Sequence, residues 1–137
     1  MKTNRFVFDT NTLISAVLIS NSTGRRALNT AVKVGALVFC EDTINELGSV
    51  LVRSKFDKYV SLDSRIDFLK GIKERAQMVG IISMFTDCRD ANDNVFLNLA
   101  FDAKADCIIS GDADLLVLNP FKDIPILSAS EFLLHYS

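Results

Sequence analysis

Asp9 follows directly on Arg5-Phe-Val-Phe8, a short apolar and aromatic run, and Asp112 and Asp114 follow a second such run, Cys107-Ile-Ile109, through Ser110-Gly111. Asp90 and Asp93 open the segment that leads into that second run. A carboxylate at the end of a run that ought to be buried must be paired, or burial shifts its pKa and costs stability. If the two runs are adjacent strands, Asp9 and Asp112 face each other, and like charges that close need a cation to offset their repulsion. Carboxylate oxygens are the donors magnesium and manganese take, whereas zinc would want histidine or thiolate. Each aspartate also has a plainer reading as a turn or cap residue. For Asp90 that reading is the better one, because it is a natural helix N-cap with Asp93 at the third helical position.

Other chemistries find few residues. His135, the single histidine, sits close to the end of the chain, where it reads as a favourable cation near a helix C-terminus, so a Ser/His/Asp or Cys/His mechanism has little to stand on. Cys40, Cys88 and Cys107 are widely spaced and form no C-x-x-C pair. Sulfur ligation and disulfides are therefore set aside, and the cysteines read as small buried hydrophobes. A phosphatase built on D-x-D needs a general acid where Asn11 stands, and a receiver module needs an acidic pair after the first strand. No Gly-rich phosphate loop is present.

The elements that must position the carboxylates can be read from periodicity. Arg5–Phe8 predicts a buried strand, with a helix after it carrying Leu13, Ile14, Val17 and Leu18 on one face. After a break at Asn21-Ser-Thr-Gly24, Ala27, Leu28, Ala31 and Val32 continue the helical pattern until Gly35. Ala36–Cys40 predicts strand two. Glu41-Asp42-Thr43 opens a helix whose stripe is Ile44, Leu47, Gly48 and Leu51, with Glu46 off it. Ile66, Leu69, Ile72 and Ala76 predict a further helix ending near Gly80, with Ile81-Ile82 as strand three. Asp90 to Lys104 predicts a helix apolar nearly all round, Cys107–Ile109 strand four, and Pro125–Leu127 a last strand before a helix opened by Ser128 or Ser130. Alternating strands and helices predict an α/β fold with a parallel sheet covered on both faces, and ligands in such sheets bind beyond the carboxyl ends of the strands.

The chain has 137 residues, 49% hydrophobic and 23% charged, which suits one domain with a full core spanning 1–137. Apolar stretches such as Gly35–Cys40 are far short of the roughly 20 residues that cross a bilayer. The start, Met1-Lys-Thr-Asn-Arg5, carries two positive charges but no signal-peptide apolar region, so the sequence reads as cytoplasmic.

The motifs Phe-Val-Phe-Asp9-Thr-Asn-Thr-Leu-Ile, Thr43-Ile-Asn-Glu46-Leu with Arg-Ser-Lys-Phe56, Asp90-Ala-Asn-Asp93-Asn-Val-Phe-Leu, and Ile-Ile-Ser-Gly-Asp112-Ala-Asp114-Leu-Leu stand in one order from residue 6, and the match runs on to the terminal Ile-Leu-Ser-Ala-Ser-Glu-Phe132. Together they resemble the PIN-domain ribonuclease family, and most of all the toxin component of bacterial toxin–antitoxin pairs. Four motifs in register are specific where any one alone would be weak. The resemblance implies a three-layer α/β/α Rossmann-like domain and an endoribonuclease, dependent on Mg2+ or Mn2+, that hydrolyses single-stranded RNA. By motif position, Asp9, Glu46, Asp93 and Asp112 would form the acidic site, with Asp114 as an additional or alternative ligand and Asn11 and Ser110 in support. Either Asp90 or Asp93 fits the third carboxylate, and Asp93 is chosen because Asp90 is the better cap. Asp112 and Asp114 are not ranked.

The metal would lower the pKa of a bound water for in-line attack on a phosphodiester and offset charge on the phosphate. A formal charge of −2 sits awkwardly with an RNA partner, but setting aside Asp9, Glu46, Asp93, Asp112 and Asp114, which metal would neutralise, turns it into +3. Arg25, Arg26, Arg53, Lys55 and Lys58 then become candidates for backbone contacts, although each singly reads as well as solvated surface charge. The expected partners are RNA, a cognate antitoxin protein and a second copy of the chain. The alternative is a non-catalytic RNA- or protein-binding module with a structural cation.

Overall fold

A computed structural model describes residues 3–136; Met1 and Lys2 of the basic N-terminal stretch, and Ser137, lie outside the described residues. Five strands, β1 (Asn4–Phe8), β2 (Gly35–Phe39), β3 (Gln77–Met78), β4 (Cys107–Ile109) and β5 (Ile126–Leu127), form one sheet in the order β3-β2-β1-β4-β5. Every pairing is parallel. Among the described residues the helices are α1 (Thr10–Leu18), α2 (Thr23–Val34), α3 (Glu41–Leu51), α4 (Leu62–Arg75), α5 (Asn94–Asp102), α6 (Ala113–Leu116) and α7 (Ala129–His135). Single 3-10 turns stand at Ser54–Phe56 and Ala91–Asp93. The expected three-layer α/β/α architecture is thus observed.

The strand alternation sorts two cores. Phe6, Phe8, Leu37, Phe39, Cys107 and Ile109 face a layer containing Leu13, Ala27, Leu47 and Phe132. Val7, Val38 and Ile108 face the other, with Phe96, Leu97, Ala100 and Leu115. Both faces of the central strands are covered, which is why these strands read as unbroken apolar runs. The helices begin where capping residues stand: Ser22, Ser61 and Ser128 each accept a backbone N–H from the first turn. Gly35 ends α2 and starts β2 without a connecting loop, and a Cβ there would lie 2.5 Å from the Asn4 carbonyl oxygen, so only glycine permits so close a junction.

Three expectations need correction. Strand three is Gln77–Met78, paired with Val38–Phe39, and not Ile81-Ile82. An exposed edge strand needs no apolar run to form, so its sequence carried no strand signal, while Ile82 is 90% exposed in the extended segment that follows. Helix α4 accordingly ends at Arg75, ahead of Gly80. The helix expected from Asp90 starts only at Asn94, because Ala91–Asp93 winds as a 3-10 turn.

Candidate functional site

The sheet order reverses between β1 and β4, since the chain proceeds outward from β1 through β2 to β3 and then returns to β4 beside β1. Phe8 pairs with Ile109, so the residues that follow these two strands emerge side by side at the switch point. Asp9 is buried there and its N–H continues the ladder to the Ile109 carbonyl at 3.1 Å. It is also the N-cap of α1. One carboxylate oxygen accepts the Thr12 N–H at 2.8 Å and the other accepts the hydroxyl of Ser110. Ser110, fully buried, in turn accepts the Asp112 N–H at 2.9 Å, so one hydroxyl ties the ends of both strands together. Each Asp9 oxygen keeps a further lone pair.

Asp112 caps α6, its Oδ1 accepting the Asp114 N–H at 2.9 Å. Asp93 approaches from the start of α5, close enough to Asp112 to share a proton. Its carboxyl is pushed up to about 7, first by burial, then by Asp112 beside it and by the charges of Asp90 and Asp9. Its Oδ2 is buried and has no hydrogen-bond partner. Burial without a partner is costly for such an oxygen, and a cation would answer it. Beside these carboxylates a cleft of about 270 Å³ is lined by Asp9, Asn11, Thr12, Ser15, Gly111 and Asp112.

The donor set is all oxygen and the unpartnered atom belongs to a carboxyl, so the residues fit a hard divalent cation. Among the described residues no three acidic, histidine or cysteine side chains converge tightly enough to encase an ion by themselves. Magnesium suits that arrangement, because it usually keeps several waters and takes only one or two carboxylates.

The structure therefore brings Asp9, Asp93, Asp112 and Ser110 together, with Asn11 exposed on the cleft wall. Asp90 accepts the Asn92 N–H at 3.1 Å, as a cap does. Glu46 is exposed on α3, off the buried stripe of Thr43, Ile44, Leu47 and Leu51. Asp114 is engaged elsewhere: Arg89 grips it through Nε at 2.9 Å and Nη2 at 3.0 Å. That fork also raises the Arg89 pKa. Arg25 donates through Nη1 to the Ala16 carbonyl at 3.1 Å near the end of α1, whereas Arg26, Arg53 and Lys55 are exposed.

Two contributors escaped sequence reasoning. Arg89 pairs with a residue 25 positions away, a separation no local pattern reveals. Asn94, Asn98 and Asp102 recur every fourth residue on α5 and accept the N–H groups of Cys88 at 2.8 Å, Phe85 at 2.7 Å and Ser83 at 2.9 Å. They pin the strap that delivers Arg89 and Asp90 to the site, and their spacing was the available signal.

Fold and site together define a parallel α/β domain with an acidic cleft at its switch point. A family model described as PIN domain matches residues 5–114. An uncharacterized protein of Methanocaldococcus jannaschii, MJ1680, is 32% identical over 123 residues, covering 83% of this chain and 74% of that protein. The crystal structure of PAE2754 from Pyrobaculum aerophilum superposes with a TM-score of 0.62 over 96% of this chain and 88% of that one, at 14% identity, a likeness of fold alone. The chain belongs to the PIN-domain family, whose members are in general metal-dependent nucleases. No helix among the described residues is long and apolar enough to cross a membrane.

Proposed function

We propose that the chain is an endoribonuclease that hydrolyses single-stranded RNA with Mg2+ or Mn2+ held among Asp9, Asp93 and Asp112, one or two of them as direct ligands and the rest through bound water. The observation that carries this reading is the buried, unpartnered Oδ2 of Asp93 among three like charges at the switch point. Bound there, the ion would supply an activated water and offset the charge of the scissile phosphate. The chain's own part is positional. Thr12 and Ser110 fix both oxygens of Asp9, and the Asp112 N–H held by Ser110 sets the start of α6. Asp93 would have to release its proton to hold a cation, so binding would strengthen as pH rises through about 7. Asp114 serves through Arg89, holding a guanidinium at the rim where a phosphate would approach. Glu46, exposed on α3, is a further carboxylate for the substrate side, and Arg25, Arg26, Arg53 and Lys55 are the candidate backbone contacts.

The likeness of the four motifs to bacterial toxins extends the reading to the toxin of a toxin–antitoxin pair in the cytoplasm. An antitoxin would silence it most simply by placing an arginine fork among the carboxylates, in competition with metal and RNA. Incubating the purified chain with single-stranded RNA and Mg2+ or Mn2+ tests the activity: cleavage that a chelator abolishes is expected. Cation binding without cleavage would leave a binding module with a structural ion. For the toxin role, the product of the adjacent reading frame should co-purify and stop cleavage, and tight binding that leaves cleavage intact would end that part. Self-association is expected to show as a dimer mass in light scattering at micromolar concentration, and a monomer mass would contradict it.

A further inference from the structure

Arg65 heads the largest side chains with no solvent exposure, and nothing in the acidic site uses it. It lies in the first turns of α4 and spends its guanidinium within the preceding connection. Nε donates to the Val60 carbonyl at 3.1 Å, Nη1 to those of Leu51 at 2.6 Å and Arg53 at 3.0 Å, and Nη2 to the carboxylate of Asp57. A buried guanidinium is tolerated only when paired and hydrogen-bonded. All its partners belong to the chain between the end of α3 and the start of α4, so Arg65 is the post around which that loop is wound. Phe56 turns inward against the core.

Beside Val52, Ser54 and Asp57, the loop turns three cations and a tyrosine outward. Arg53, Lys55 and Lys58 are exposed, and Tyr59 is 62% exposed. Lys58 Nζ stands 5.2 Å from the Tyr59 ring centre and Lys55 Nζ 5.1 Å from that of Phe56. Asp57, the one acidic residue between Val52 and Ser61, is neutralised by Arg65. Three cations and an exposed tyrosine, its ring already paired with Lys58 on one side, are thus carried by this loop on a chain whose formal net charge is −2.

We propose that the Arg53–Tyr59 loop is a docking platform for single-stranded RNA, with an unstacked base on the Tyr59 ring, backbone phosphates on Arg53, Lys55 and Lys58, and Arg65 as the positioning residue beneath. The proposal rests on the ribonuclease reading of the acidic site and supplies it with a second hold on its substrate. Every base offers a π-face to an aromatic ring, and such stacking beside a positive track is how single strands are held without sequence preference. A duplex keeps its bases stacked and cannot use the ring. Helix α3 carries Glu46, ends at Leu51 and leads directly into the loop.

The test is fluorescence anisotropy with a labelled single-stranded RNA of about a dozen nucleotides and magnesium, using the full chain carrying Asp9→Asn to suppress cleavage. Tyr59→Ala should weaken binding about tenfold, Tyr59→Phe should bind like the parent, and Lys55→Gln with Lys58→Gln should lower the slope of log K against log salt by about 1.4. Melting temperatures matching the parent would show that the loop variants fold. Parent-like binding by folded Tyr59→Ala and by the lysine pair, absence of binding by the parent, or equal affinity for duplex RNA would each overturn the platform. So would variants that lose a protein partner while keeping RNA. The two readings fail separately: wild-type cleavage with Tyr59-independent binding sinks only the platform, and Tyr59-dependent binding without cleavage by the wild type sinks only the nuclease.

Discussion

Two charged centres of this domain solve burial in opposite ways. At Arg65 the chain supplies a partner for each of the guanidinium nitrogens, three backbone carbonyls and a carboxylate. At the switch point it gathers Asp9, Asp93 and Asp112, and leaves Asp93 Oδ2 buried with none. A charge satisfied from within builds shape, and a charge left wanting is poised for something from outside. Self-satisfaction at Arg65 thus marks architecture, and its lack at Asp93 is the reason the proposed cation site is placed there.

The largest expected effect sharpens that contrast at the catalytic side. On the proposed reading Asp112→Asn would remove a cation ligand at nearly constant shape, and RNA cleavage should fall by orders of magnitude while the protein still folds. A folded Asp112→Asn enzyme with wild-type rates would break the comparison. Arg65→Ala should lower stability by about 3 kcal/mol, because the carbonyls of Leu51 and Arg53 lose their donor and a cavity opens. A urea midpoint unmoved by that change would deny Arg65 its role.

Asp93→Asn should do the reverse in metal-free protein. A carboxyl whose folded pKa is raised to about 7 binds its proton more tightly than in the unfolded chain, so the stability it lends is full below about pH 4 and is lost as pH rises toward 7. The metal-free wild type should therefore melt lower at pH 7.5 than at pH 5, and the asparagine variant should flatten that dependence and melt higher at pH 7.5. A melting temperature that rises steadily from pH 5 to 7.5 in wild type, unchanged by the substitution, would contradict the assignment. Smallest of all is the effect of replacing Cys40, Cys88 and Cys107 by serine or alanine. Burial raises the Cys88 thiol and pushes Cys107 up to about 12, so neither supplies a thiolate, and cleavage by the folded triple variant should match wild type.

Much of this was legible in the sequence because burial on both faces writes itself as composition. Phe6–Phe8 and Cys107–Ile109 are central strands and carry continuous apolar runs, so their burial and the carboxylates after them could be anticipated, while their adjacency stayed a condition until the pairing was seen. Gln77–Met78 is an edge strand with no such obligation, and Ile81-Ile82 imitated the signal without pairing in the sheet. The cap role of Asp90 was local and readable. Arg89 on Asp114 and Arg65 on Asp57 depend on where distant backbone comes to rest, and one sequence holds no periodicity for that.

The most direct measurement is a calorimetric titration of Mn2+ into the wild type and Asp93→Asn at pH 6 and pH 8. The account predicts that wild-type affinity rises with pH and that proton release accompanies binding near pH 7, with both features lost and affinity much reduced in the variant. Equal affinity in the two folded proteins, independent of pH, would contradict the claim that the unpartnered carboxylate at the switch point is where the metal binds.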